Sequence, residues 1–152
     1  MQKDLGFLIF KLTNNVFCDR VMSCAEQISI SRPFDQIVVF NSFCDKTKTN
    51  NIPILHLNHA KFFKGDLLIF DLIGIVLSQN FPNISKRYLY VTDIPWLSSP
   101  QTLYSEWSKL YMAENVELIV SNEKLFDIYK LTWKKPIGIC EDFNYEKIQN
   151  LI

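Results

Sequence analysis

The chain has 152 residues, enough for one domain with a sizeable core, and 48% hydrophobic against 21% charged residues excludes a disordered polypeptide. Lys+Arg and Asp+Glu balance at 16 each, so no net field draws the protein toward nucleic acid or an anionic membrane. Four cysteines, none at CxxC spacing, and two histidines fall outside the usual zinc patterns and fit reduced, mostly buried thiols in a cytosolic protein.

The start, Met-Gln-Lys-Asp, has no signal-peptide pattern. Residues 5–12 (LGFLIFKL) predict a buried strand from their length and apolar density. Thr13-Asn14-Asn15 is a polar turn, and apolar positions at Val16, Phe17, Val21, Cys24, Ala25 and Ile28 predict an amphipathic helix up to a turn at Pro33. A second strand is expected over 34–43, a polar loop over 45–51 and a short third strand over 53–57. Residues 59–63 read as one helical turn or irregular chain, and 67–71 (LLIFD) as a central strand. The longest apolar-rich stretch, 67–77, is broken by Asp71 and falls short of the roughly 20 residues of a membrane span.

Helix follows over 72–79, then a strand over 87–92 (RYLYVT) that runs into Asp93-Ile94-Pro95-Trp96. Leu103, Tyr104, Trp107, Leu110 and Tyr111 mark the apolar face of a helix over 102–113. Residues 117–120 form a strand, Ser121 caps a helix over 122–133, and a last strand over 136–140 leads through a turn to a terminal helix over 145–152. Strands separated by helices demand right-handed crossovers and a mainly parallel sheet covered on both faces. The expectation is α/β: a single Rossmann-like three-layer domain over 1–152.

In such sheets ligands sit beyond the C-terminal ends of the strands. That rule puts forward Asn14, Asn15, Asn41, Ser42, Asp71, Thr92, Asp93, Ser121, Asn122, Glu141 and Asp142. Each has a structural alternative, because polar residues also begin turns and cap helices at these places. No GxGxxG, GxxxxGK[ST] or GxSxG run is present, which argues against a dinucleotide site, a P-loop or a hydrolase elbow.

Asp93 stands out because Ile94-Pro95-Trp96 set rigid apolar groups beside a carboxylate, surroundings that favour a general base; the alternative is a turn-opening or helix-capping Asp. His56 and His59 flank a strand end, where metal or acid–base work competes with ordinary polar contacts. Tyr104, Trp107 and Tyr111 at helical spacing fit core packing better than a stacking surface, whereas Trp96 stands in a loop next to Asp93.

The element order resembles the N-terminal Rossmann-like half of GT-B glycosyltransferases. In that half a strand ending in a small polar residue (here ELIVSN, 117–122) leads to a helix, and a last strand ends in an acidic or glycine turn (here PIGICEDFNYEKI, 136–148). More narrowly, Asn14-Asn15-Val16 and Tyr88-Leu89-Tyr90-Val91-Thr92-Asp93 resemble the DNA β-glucosyltransferases of tailed phages. The resemblance implies Asp93 as the general base that takes a proton from the acceptor hydroxyl, with Asn14 and Asn15 near the same cleft. Asn41, Asp71, Thr92, Trp96, Ser121 and Asp142 are the expected substrate-binding residues around it.

GT-B enzymes hold the sugar nucleotide chiefly through a second Rossmann-like domain, and no diphosphate-binding Arg or Lys of that half can be assigned here. The implied protein is thus an acceptor-binding half, phage-encoded and at work in the host cytoplasm. It would have no cofactor of its own, a nucleotide sugar as donor, and a donor-domain subunit or a second copy of itself as partner. Its acceptor would be a sugar or nucleic acid, with no membrane involved. The other expectation is a non-catalytic Rossmann-like module, a phage accessory protein that binds a host protein through an exposed apolar patch. A flavodoxin-like or response-regulator domain fits less well, since the latter needs acidic residues where Thr13-Asn14-Asn15 stands.

Overall fold

Continuous apolar runs become strands buried on both faces, as a parallel sheet sandwiched between helices requires. In the computed structural model, which describes residues 3–45, 51–94 and 104–152, β1 (Leu5–Leu8), β3 (Ile37–Asn41) and β6 (Gly65–Ile69) are buried at every position. With β5 (Ile54–His56), β7 (Ile84–Val91), β8 (Val116–Val120) and β9 (Gly138–Ile139) they form a seven-stranded sheet in the order β5-β3-β1-β6-β7-β8-β9. Every neighbouring pair in it is parallel.

The order dictates which helices cover which face. From β1 the chain steps one way to β3; from β6 it steps the other way to β7, β8 and β9. Crossovers of one hand that travel in opposite directions must run over opposite faces. Accordingly α1 (Val16–Ser31) and α5 (Tyr145–Leu151) cover one face with Cys18, Val21, Met22, Ala25, Ile28 and Ile148. The other face is packed by α2 (Leu72–Ser78), α3 (Tyr104–Met112) and α4 (Glu123–Thr132) through Ile75, Tyr111, Leu125 and Tyr129. The expected α/β three-layer arrangement is the observed one. No described helix is long and apolar enough to cross a membrane.

Several boundaries differ from the expected ones for physical reasons. The first strand ends at Leu8, and Lys11–Leu12 (β2) leaves the main sheet to pair with Phe43–Cys44 (β4), forming a two-stranded parallel extension above β1 and β3. The second strand starts at Ile37, since residues 34–36 form the turn after α1. That helix ends on Arg32 in the left-handed region (φ 55°), whose N–H reaches the Ile28 carbonyl. Residues 57–62 form a 3-10 helix, with Nδ1 of His56 accepting from the Asn58 N–H at 3.2 Å, so this histidine acts as a cap. The strand expected from Arg87 begins at Ile84, and Arg87 is buried: its guanidinium donates to the carbonyls of Ser78 (2.9 and 3.3 Å) and Phe81 (3.0 Å), closing the end of α2. Asn122, not Ser121, caps α4, its Oδ1 accepting from the Leu125 N–H at 2.9 Å.

Burial also sets the alkaline behaviour. It pushes the Cys24 thiol and the Tyr88 and Tyr111 hydroxyls each up to about 12, and neighbouring Asp66 and Glu117 carboxylates add to the effect at Tyr88. A group whose value rises on folding stabilises the fold at every pH below its unfolded value and loses that contribution as pH climbs to the folded one. Stability should hold up to about pH 8, then fall between about pH 9 and about pH 12 as the unfolded chain gives up first the thiol and then the tyrosine protons. Urea midpoints measured across that range, beside tyrosinate absorbance, check it; a flat midpoint to pH 12 would contradict the assignment.

Candidate functional site

Three adjoining hollows follow the C-terminal rim of the sheet. The first, about 440 Å³, lies beyond β6 and β7 between α2 and α3, walled by Leu72, Leu89, Val91, Trp107 and Tyr111, with Thr92 and Asp93 also lining it. The second, about 430 Å³, sits over the gap between the loops after β1 and β6, and includes Phe10, Lys11, Asn15, Phe17 and Cys18. The third, about 310 Å³, runs from Val16 and Arg20 of α1 to Ser121 and Asp142. Asp71 and Ile73 line both the first and second, Phe17 both the second and third, and Tyr90 and Thr92 both the first and third. Together they make one cleft across the place where the crossovers diverge, the usual ligand position in an open parallel sheet.

An aromatic layer underlies the cleft on the α1 side. Tyr90 stacks on Phe143 at 4.5 Å, Phe17 meets Phe143 edge-on at 5.3 Å, and Phe70 lies 5.9 Å from Tyr90 and 5.7 Å from Phe7. The Tyr90 hydroxyl donates to the Cys140 carbonyl at 2.5 Å and receives the Phe143 N–H at 3.4 Å. Burial, with Cys140 nearby, holds that hydroxyl far above the ordinary tyrosine range, so it serves as a fixed donor.

The cleft's three carboxylates have different surroundings. Asp71 is the N-cap of α2: its Oδ1 accepts from the Gly74 N–H at 2.5 Å, while its Oδ2 accepts from the Phe10 N–H at 2.7 Å. Burial raises its proton affinity, and the two backbone donors pull it back. A Cβ at Gly74 would press into the side chains of Leu8 and Ile69, so the tight packing of this turn on the core favours glycine. Asp142 is paired with Arg20 at 2.8 Å. Asp93 is exposed at the mouth of the first hollow, and its carboxylate makes neither a hydrogen bond nor an ion pair among the described residues. Its backbone carbonyl accepts from the Tyr129 hydroxyl at 3.3 Å, which ties its position to α4.

The expected site residues therefore separate. Thr92, Asp93, Ser121 and Asp142 line the cleft, as does Asn15, although the Asn15 side chain is occupied as the cap of α1 through the Cys18 N–H. Asp71 lines it too, but as a bridge between loops. Asn14 binds the Asp45 carbonyl at 2.8 Å, and Asn41 is buried inside β3; neither lines the three hollows. Trp96 lies outside the described residues. Ile94 packs partly buried against the core and Asp93 is exposed; Pro95, like Trp96 expected beside it, also lies outside the described residues.

Phe17, Arg20, Ile73, Tyr90 and Trp107 also line the cleft. Their signal in sequence was position: the first turns of helices after strands, and the last inward-facing residue of a strand, end at this rim. No cluster of three or more His, Cys, Asp or Glu side chains that could hold a metal occurs among the described residues. No family model, curated protein or solved structure matches the chain.

Removing the Asp71 bridge tests its part in building the cleft. Asp71→Ala should cost about 2–4 kcal/mol, the loss of a helix cap plus an unpaired Phe10 N–H. Asp71→Asn, which keeps one acceptor, should cost about half as much. Urea denaturation measures both; a loss within about 0.5 kcal/mol for Ala would mean that the loops are held by other contacts.

Proposed function

We propose that this chain is the acceptor-binding half of a glycosyltransferase of the GT-B type, with Asp93 as the base that takes the proton from the acceptor hydroxyl. The supporting observation is the contrast among the carboxylates: Asp71 and Asp142 are engaged with partners, and Asp93 alone is open at the mouth of an apolar hollow large enough for a small molecule. In the step itself the acceptor oxygen bonds to the anomeric carbon of the donor sugar, its proton passes to Asp93, and the bond from that carbon to the diphosphate breaks.

The donor is assigned to a second domain, on a partner chain or a second copy, because the cleft offers a diphosphate few cations. Among the described lining residues these are Lys11 and the Arg20 already paired with Asp142. A phage gene acting in the host cytoplasm belongs to the same reading. A second reading, a non-catalytic module that binds a protein at this rim, rests on the apolar side chains exposed around it, Val16 (68%), Phe43 (54%) and Ile73 (53%).

Transfer of radiolabelled sugar from a panel of nucleotide sugars, by the protein mixed with a donor-type Rossmann subunit, separates the two. Asp93→Asn should lower transfer by at least about 100-fold with an unchanged melting temperature, the usual contribution of a general base. Equal transfer by the variant removes Asp93 from the chemistry. Absence of transfer with every donor and partner favours the binding module.

A further inference from the structure

The first hollow restricts what the acceptor can be. Its walls, Leu72, Ile73, Leu89, Val91, Trp107 and Tyr111, are apolar or aromatic. Among its described lining residues the Asp71 carboxylate is committed to two backbone donors, Thr92 and Asp93 are exposed at the mouth, and Tyr90, Trp107 and Tyr111 each add one polar group to an otherwise apolar ring. No cation lines it among the described residues, and residues 95–103, which follow Asp93 closely in the chain, are uncharged in sequence.

We infer that the acceptor is a small, uncharged aromatic alcohol, its ring in this hollow against Trp107 and its hydroxyl at Asp93. The inference rests on the transferase reading and names the substrate class of the same site. Size agrees, since about 440 Å³ lies in the range of small-molecule pockets and accommodates a one- or two-ring compound. Charge excludes a nucleic acid. Each phosphodiester would bring a negative charge toward the Asp93 carboxylate, whereas phosphate recognition depends on clustered Lys and Arg. Hydrogen-bonding capacity weighs against a sugar ring inside the hollow, because several hydroxyls would be buried against walls that are mostly apolar. An aromatic alcohol has one hydroxyl to satisfy and an apolar face that matches the walls.

Titration of the full chain with 1-naphthol, a short DNA duplex and maltotriose, followed by calorimetry and tryptophan fluorescence, decides among these classes. 1-Naphthol should bind most tightly, with an affinity that changes less than about 2-fold between about 50 and about 300 mM NaCl, where phosphate contacts would weaken steeply. Ile73→Trp, which fills the mouth from an exposed position, should weaken it at least about 10-fold, and Ile73→Asp, which places a charge there without filling it, should act in the same direction. Melting temperatures identify any variant that fails to fold, and the other variant then carries the test.

Tighter binding of the duplex or of maltotriose overturns the inference, as does 1-naphthol binding untouched by both Ile73 variants. The transferase reading fails separately. 1-Naphthol that binds in this hollow but is left unglycosylated whatever donor and partner are supplied overturns its role as acceptor and leaves the ligand class standing. Sugar transfer to another acceptor without 1-naphthol binding does the reverse.

Discussion

Two adjacent strands whose crossovers leave over opposite faces pull their following loops apart, and the gap between β1 and β6 is where this chain must be held together. The Asp71 carboxylate spans the gap. One oxygen receives the N–H of Phe10 from the loop after β1, and the other receives the N–H of Gly74 in the first turn of α2. A buried charge without partners would be costly, and two backbone donors offset that cost. Their geometry also has a consequence for shape. It fixes the path of Phe10 just before Lys11–Leu12 turns out to pair with β4, and it sets the start of α2, which puts Ile73 on the rim. The first and second hollows share a wall because this carboxylate belongs to both.

The far side of the cleft is held by a different device. Asp142 and Phe143 adopt left-handed backbone angles (φ 49° and 55°), which non-glycine residues keep only when their surroundings hold them. Tyr90 supplies that hold from within, through its bond to the Cys140 carbonyl, the Phe143 N–H and the stacked Phe143 ring, and Arg20 supplies it from outside through the ion pair to Asp142. That ion pair is exposed on both sides, so its contribution is geometric more than energetic. Walls held by carboxylates on both sides leave Asp93 as the one carboxylate of the cleft without a structural bond.

The strands were legible in the sequence where burial on both faces leaves an apolar run, as in β1, in β3 and over 67–69 and 118–120 of β6 and β8. Two-residue strands such as β2 and β4 carry no periodicity, and their pairing joins residues far apart in the chain, so they read as strand ends and loop. The cap of α4 was misplaced by one residue because Ser121 and Asn122 are both competent caps, and only the backbone shows which side chain reaches the Leu125 N–H. Asp71 was visible as a polar residue at a strand end, but its bridging role depends on Phe10, 61 residues away. Trp107 and Tyr111 read as core from their helical spacing, and Tyr111 is fully buried, yet both side chains also wall the first hollow. Periodicity reports that a side chain is inward-facing and carries no information on where the packing stops.

The exposure of Asp93 bears on how it would act. Among the described residues Asp93 is exposed, with Ile94 beside it partly buried against the core. A base in that position depends on its ligand. On the proposed reading, an apolar acceptor that filled the hollow would displace water from the side of Asp93 that faces it, and the carboxylate's interaction with the acceptor hydroxyl would strengthen as the local dielectric fell. The tether from the Tyr129 hydroxyl to the Asp93 carbonyl keeps the backbone of this residue in register with α4 while its side chain stays open. Water exclusion would then come from the bound molecule, which makes the apolar walls and the open carboxylate two parts of one arrangement.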